Sequence, residues 1–276
     1  MSSAATDASQ AASSGGQDVS AYVIHHVGNS DSWHPLPGVG VPLGGDFHLF
    51  GIDLGLSLHA LMLLIAGGIV FLLFGILYKK QSNRAPSGIT NMLEALVLFV
   101  RDEICVNYIG EKDGKRLAPF FLNFFFMVLV LNLMGLIPLF STATANISVT
   151  MGLALITLTM MIIGGIVKNG LVGFFQLFLP PGVPKAVYII LFPIELMGLF
   201  IKPFALTIRL FANMLGGHIV IFSLLGLIIS FGWFGVPSLA LALFVFFLEL
   251  LVAFIQAFIF TMLSAMFVGD MMHPSH

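Results

Sequence analysis

The stretch LAPFFLNFFFMVLVLNLMGLIPLFSTATANISVTMGLALITLTMMIIGGIV, residues 117–167, runs for 51 residues without one formal charge. About 20 apolar residues cross a bilayer as a helix, so a run of this length is two spans. The turn between them falls at STATAN (141–146), with Pro138 just before it. Lys168 ends the second of the two. The whole chain has the same character. Of its 276 residues 58% are hydrophobic and 9% are charged, against roughly 25% charged in a soluble domain. Such a chain cannot cover a soluble globule with charge. That excludes a soluble enzyme, a nucleic-acid-binding domain and a disordered protein. A net charge of −2 attracts no nucleic acid. The single Cys105 excludes a disulfide framework and any Cys-based metal site.

Leu54 to Tyr78 adds another uncharged run, long enough for a first span, and Lys79, Lys80 and Arg84 stop it. Residues 88–109, GITNMLEALVLFVRDEICVNYI, carry Glu94, Arg101, Asp102 and Glu103 and cannot span. Ile89, Leu93, Leu96, Val100 and Ile104 recur at spacings of three and four. This predicts an amphipathic helix on the membrane surface, with Cys105 packed on its apolar side. Two more apolar runs follow, about 186–230 and 237–269. As helices they measure ~67 and ~50 Å at 1.5 Å per residue, against a hydrocarbon core of ~30 Å. Pro203 kinks the first without supplying a loop. The two are therefore predicted to form a long tilted hairpin turning at SFGWFGVP (230–237). The predicted fold is an all-α polytopic membrane protein with five membrane helices and one interfacial helix.

The predicted division is an irregular or disordered outer segment, 1–50, and a membrane domain, 51–276. Residues 1–20 have neither the basic nor the apolar region of a secretory signal and read as a disordered tail. His25, His26, His34 and His48 are irregularly spaced and accompanied by no carboxylate constellation, so no metal site is assigned. The loop 79–116 holds seven Lys and Arg, while the segment before the first span, STATAN and SFGWFGVP hold none. The positive-inside rule then puts the N-terminus outside and the C-terminus inside.

Glu195, Lys202, Arg209 and Glu249 lie deep in the last two apolar runs, accompanied by Asn213, His218 and Gln256. A charge at the bilayer centre costs at least ~2.5–3.5 kcal/mol, so it normally faces protein or water and marks an ion path. Glu195, Lys202 and Arg209 are spaced seven and seven, and seven residues fall only ~20° short of two helical turns. They share one stripe, with Asn213 near it; Glu249 and Gln256, again seven apart, form a matching stripe on the last helix. His218 is about half a turn out of phase with Arg209, which suits two separate clefts. Other readings stand beside this one. Lys202 can snorkel to the inner interface, Glu195 can be its structural partner, and His218 can be a packed core histidine. Arg209 has no such alternative: it stays protonated in any protein site, holds a partner carboxylate ionised and repels a passing proton. A secondary transporter would show broken helices in paired halves, and an intramembrane protease would show nucleophile or paired-acid motifs. Neither pattern is present.

PIELMGLFIKPFALTIRLFANMLGGHIV (193–220) closely resembles the signature of subunit a of F-type ATP synthases. NLMGLIP (132–138), TANISVTMGLAL (144–155) and ELLVAFIQAFIFTMLSAMF (249–267) are similar to further blocks of that family, over about residues 50–268. The resemblance implies a static, non-catalytic subunit of the bacterial plasma membrane, with no cofactor. It would offer two offset proton half-channels to a rotating ring of c subunits. Peripheral-stalk b subunits, other synthase subunits and lipid would be its further partners. Arg209 matches the essential arginine facing the ring carboxylate, Gln256 the glutamine beside it and Asn213 the asparagine one turn on. His218 and Glu249 match the outer relay pair, with the order exchanged relative to many bacterial members, as in mitochondrial ones. Glu195 and Lys202 match positions of the inner half-channel, and Asn146 and Ser148 polar positions lining the outer side. Some members carry an acid where Gly135 stands.

Overall fold

The computed structural model describes residues 32–36, 39–42, 48–49, 52–53, 57–77, 88–137, 140–179, 184–231 and 236–273. The tail at 1–20, His25, His26, Pro138 and residues 232–235 of the predicted hairpin turn lie outside them. Two short antiparallel ladders come first: β1 (Ser32–Leu36) with β2 (Val39–Pro42), and β3 (His48–Leu49) with β4 (Ile52–Asp53). β1 to β3 lie within residues 1–50, and β4 lies just beyond them. The elements described after these ladders are all helical. α1 (Leu58–Leu72) continues into a π-helical turn, Leu73–Leu77. α2 (Ile89–Phe99) is the predicted amphipathic helix and is prolonged by a π-helical segment, Val100–Val106. α3 is Glu111–Gly135, α4 Ile147–Gln176, α5 Lys185–Phe231 and α6 Val236–Met272. Five helices are long and apolar enough to cross a membrane, namely α1, α3, α4, α5 and α6.

One departure refines the sequence reading, and the single long helix across Pro203 is found as expected. α4 does not stop at Lys168. It breaks at Gly170, which adopts φ 74°, and then continues to Gln176. A positive φ is accessible to glycine without steric cost, so the chain turns there and not at the charge. α5 keeps both Pro193 and Pro203 inside one 47-residue helix. Near Pro203 the Thr207 hydroxyl donates to the Pro203 carbonyl at 3.0 Å, a local adjustment of the ladder.

The chain folds as two compact units. Of the described residues, the first comprises those up to Ala66, Leu131–Asn146 and Phe211–Ile255; the second comprises those from Gly67 to Val130, Ile147–Leu210 and those from Gln256 on. In the first unit Leu136, Ala145, Met214 and Ala253 form a buried cluster, with Leu133, Leu215, Phe246 and Leu250 packed on it. Ser238 Oγ donates to the Leu224 carbonyl (2.9 Å), tying the paired ends of α5 and α6 together.

The second unit has an aromatic core. Phe124 meets Phe260 at 5.3 Å, and Phe99 meets Phe258 at 5.6 Å, so that the amphipathic helix is held against α6. Two glycines permit closer approach still. Gly114 of α3 abuts the Cys105 carbonyl and Gly269 of α6 the Tyr108 carbonyl, so closely that a Cβ at either would overlap backbone. Cys105 is fully buried, and burial pushes its thiol up to about 12. It is a packing residue, as its place on the apolar side predicts. On the exposed side of the same segment Arg101 forks onto Asp102 (2.8 and 2.9 Å) and holds its carboxyl below the usual range.

Candidate functional site

In the first unit α5 and α6 bring a histidine and a carboxylate together out of solvent. His218 and Glu249 are 5% and 4% exposed, and His218 Nδ1 lies 2.9 Å from Glu249 Oε1. Nδ1 also lies 2.8 Å from the Met214 carbonyl, one turn back on α5, and its N–H is aligned with that oxygen. The contact with Glu249 is therefore a close electrostatic pair beside a backbone hydrogen bond. The other nitrogen, Nε2, lies 2.9 Å from the Gly135 carbonyl at the end of α3 and 2.9 Å from Thr142 Oγ1.

Glycine makes this approach possible. A Cβ at position 217 would stand 2.6 Å from Glu249 Cδ, so Gly217 leaves the space that the carboxyl fills. The first unit holds further buried polar atoms. Glu249 Oε2, Asn132 Oδ1 and Thr144 Oγ1 have no hydrogen-bond partner among the described residues. Buried polar atoms of this kind are commonly met by internal water. Asn132 Nδ2 reaches the Ala253 carbonyl at 3.4 Å, one turn beyond Glu249 on α6.

The remaining predicted residues are placed as follows. Asn213 is exposed on α5 and Asn146 half-buried after the 3-10 turn Ala143–Ala145, both in the first unit. In the second unit Arg209 is exposed on α5, as are Phe204 (62%) and Ile208 (38%). Gln256 is buried on α6, while Ser148 is exposed on the first turn of α4. Lys202 pairs across to α6: its Nζ is 3.5 Å from Asp270 Oδ2 and 5.1 Å from the centre of the Phe267 ring.

The alternative pairing of Lys202 with Glu195 is not formed; Glu195 is exposed on α5. Seven residues along a helix separate two side chains by ~10 Å, beyond the reach of an ion pair, and Asp270 takes the ammonium instead. Asp270, Thr142, Gly217 and Asn132 are the site residues that sequence reasoning missed. For Asp270 a signal existed, since it is the last acid of an otherwise apolar helix. For Thr142 the only signal was a run of hydroxyls in STATAN.

Among the described residues no three His, Cys, Asp or Glu side chains are grouped to hold a metal ion. His34 and His48 lie on β1 and β3, where the backbone alone is described.

Comparison with known proteins shows the family of the chain. The ATP synthase A chain family matches residues 60–269. An ATP synthase subunit a of Anaeromyxobacter sp. (strain Fw109-5) is 46% identical over 235 residues, 83% of this chain and 57% of that protein. One of Chloroherpeton thalassium is 45% identical over 262 residues, 92% of this chain and 77% of that protein. One of Anaeromyxobacter dehalogenans (strain 2CP-C) is 43% identical over 257 residues, 90% of this chain and 67% of that protein. The chain thus spans little more than half the length of the first of these relatives and two thirds or more of the other two.

Proposed function

The chain belongs to the ATP synthase subunit a family, and from that premise we propose that it is the static proton-conducting subunit of a rotary ATP synthase in a bacterial plasma membrane. Arg209 carries the reading. It is a permanent cation, exposed on α5, as are Phe204 and Ile208. In lipid such a charge costs ~2.5–3.5 kcal/mol or more, so an acid from a partner is the natural counterpart. A ring of c subunits, each with one carboxylate, supplies it. Asn213, four residues further along α5, is exposed, and Gln256 is buried on α6.

Protons enter from the outer side past Asn146 and Ser148 and load the His218–Glu249 pair. They pass to a ring carboxylate, which travels almost a full turn in its neutral form. Meeting Arg209, the carboxylate ionises, because a neighbouring cation favours the charged form. The proton leaves towards the inner side, where Glu195, Lys202 and Asp270 line the exit. Each charge moved is worth ~2.3 kcal/mol per 100 mV. Arg209 blocks the direct leak between the two clefts. The sequence contains no Gly-rich phosphate loop, and nucleotide chemistry belongs to other subunits. Exposed apolar residues of α4, among them Met151, Leu155 and Ile163, face lipid or the b subunits of the peripheral stalk.

The test is Arg209→Lys. It keeps the charge but loses the group that cannot be deprotonated. ATP-driven pumping by inverted vesicles should vanish while the complex, purified through this chain, still contains the small two-span ring subunit and the soluble ATPase subunits. Near-normal pumping, or purification without those subunits, would overturn the assignment.

A further inference from the structure

Four oxygens surround His218 in the first unit, and they are not equivalent. Nδ1 faces the Met214 carbonyl at 2.8 Å and Glu249 Oε1 at 2.9 Å. Nε2 faces the Gly135 carbonyl at 2.9 Å. A carbonyl has no proton to give, and an ionised carboxylate has none either. The fourth oxygen is Thr142 Oγ1, 2.9 Å from Nε2 and completely buried. A hydroxyl donates or accepts as required. Among the described residues Glu249 is the one other titratable group in contact with the ring.

A protonated imidazole is satisfied by this shell, because both N–H groups meet an acceptor. A neutral ring keeps one proton and presents one lone pair. Beside an ionised Glu249, only Thr142 has a proton to offer that lone pair. The hydrogen bond made by one nitrogen decides which nitrogen carries the proton.

We propose that Thr142 is a positioning residue for the proton relay, its hydroxyl donating to Nε2 and so stabilising the empty form of the pair, neutral His218 beside ionised Glu249. Loading adds one proton from outer-side water to the Nε2 lone pair, and the hydroxyl turns from donor to acceptor. Unloading on that side is the reverse. One proton moves and no electrons are exchanged. Without the hydroxyl the pair holds its proton and turnover slows. Gly135 belongs to the same device: a Cβ there would stand 2.8 Å from Thr142 Cγ2. The glycine makes room for the threonine, which sets a neutral hydroxyl against the nitrogen.

The inference rests on the reading of His218 and Glu249 as the outer relay, and the experiment separates the two. Vesicles carrying the whole complex are stripped of its soluble sector, and passive proton conductance is driven by a potassium diffusion potential. Thr142→Val keeps the shape and removes the donor; conductance should fall roughly tenfold, the scale of one buried hydrogen bond left unmade, with unchanged content of this chain. Thr142→Ser should recover most of it. Thr142→Ala lacks the donor without added bulk and carries the test if the valine variant assembles poorly. His218→Ala runs beside them. If it blocks conductance while the valine and alanine variants conduct normally, the role of Thr142 is overturned and the relay stands. If Thr142→Ser is as slow as Thr142→Val, the methyl group's packing explains the loss and the proposal falls. If His218→Ala conducts normally, the outer relay itself is wrong, and the inference goes with it.

Discussion

Gly217→Ala is the smallest change that reaches the His218–Glu249 pair without touching either member. A Cβ at 217 would lie 2.6 Å from Glu249 Cδ and 3.1 Å from its Cγ. Non-bonded carbons settle at ~3.5–4.0 Å, so the carboxyl must retreat by roughly 1 Å. Both partners are buried, and the retreat is into packed protein. The cost to the fold is modest. Overpacking takes ~1–3 kcal/mol, and alanine returns up to ~1 kcal/mol of helix propensity over glycine. The chain should therefore still reach the membrane in normal amount. Proton transfer is less forgiving, since a misplacement of ~1 Å can cost ~10²-fold in rate. The expected result is a loss of ATP-driven pumping approaching that figure, read as quenching of a pH-sensitive dye in inverted vesicles. Gly152→Ala on α4 is the control, because nothing lies within 4 Å of a Cβ there. Adding Glu249→Asp to Gly217→Ala shortens the crowded side chain by one methylene and should restore part of the rate. Full pumping by Gly217→Ala at normal subunit content would show that the carboxyl has room to spare or lies off the path.

Exchanging the pair, His218→Glu together with Glu249→His, should pump better than the two single variants predict if they acted independently; a double-mutant cycle measures the difference, and strict additivity would separate the two residues functionally. Asp270→Asn should leave subunit content unchanged, because a half-exposed ion pair at 3.5 Å contributes only ~0–1 kcal/mol, while slowing pumping several-fold; an unchanged rate would remove Asp270 from the inner exit. Gly269→Ala should destabilise the chain by ~1–3 kcal/mol through overlap with the Tyr108 carbonyl, seen as less subunit in the membrane; normal levels would refute the close approach. Cysteines placed at Ser13 and Ser275 should react with an impermeant maleimide from opposite sides of the membrane. Native Cys105 should stay silent, being buried with a thiol pushed up to about 12; labelling of both placed cysteines from one side would refute the five-span topology.

What was legible in the sequence was what costs free energy in a bilayer. Uncharged runs of fixed minimum length have one stable outcome, so five spans and the overlong α5–α6 pair could be read directly. The same cost singled out Arg209, His218, Glu249 and Gln256, because a polar group in an apolar run needs a reason. The helical phase set Arg209 and His218 about half a turn apart, and the first is exposed and the second buried. What escaped was structure held by groups every residue carries. The turn at Gly170 and the ladders of β1 to β4 depend on backbone angles and short registers that leave little pattern in side-chain hydropathy. Gly217 and Gly135 act through a missing Cβ, and the Met214 and Gly135 carbonyls through backbone oxygens. Even the partner of Lys202 turned on which helix stood opposite, not on spacing along its own. Hence a polar side chain in an apolar run marks a candidate site. The neighbours that would tune its titrating group are not marked in this way, and the place of Thr142 beside His218 exists only in the fold.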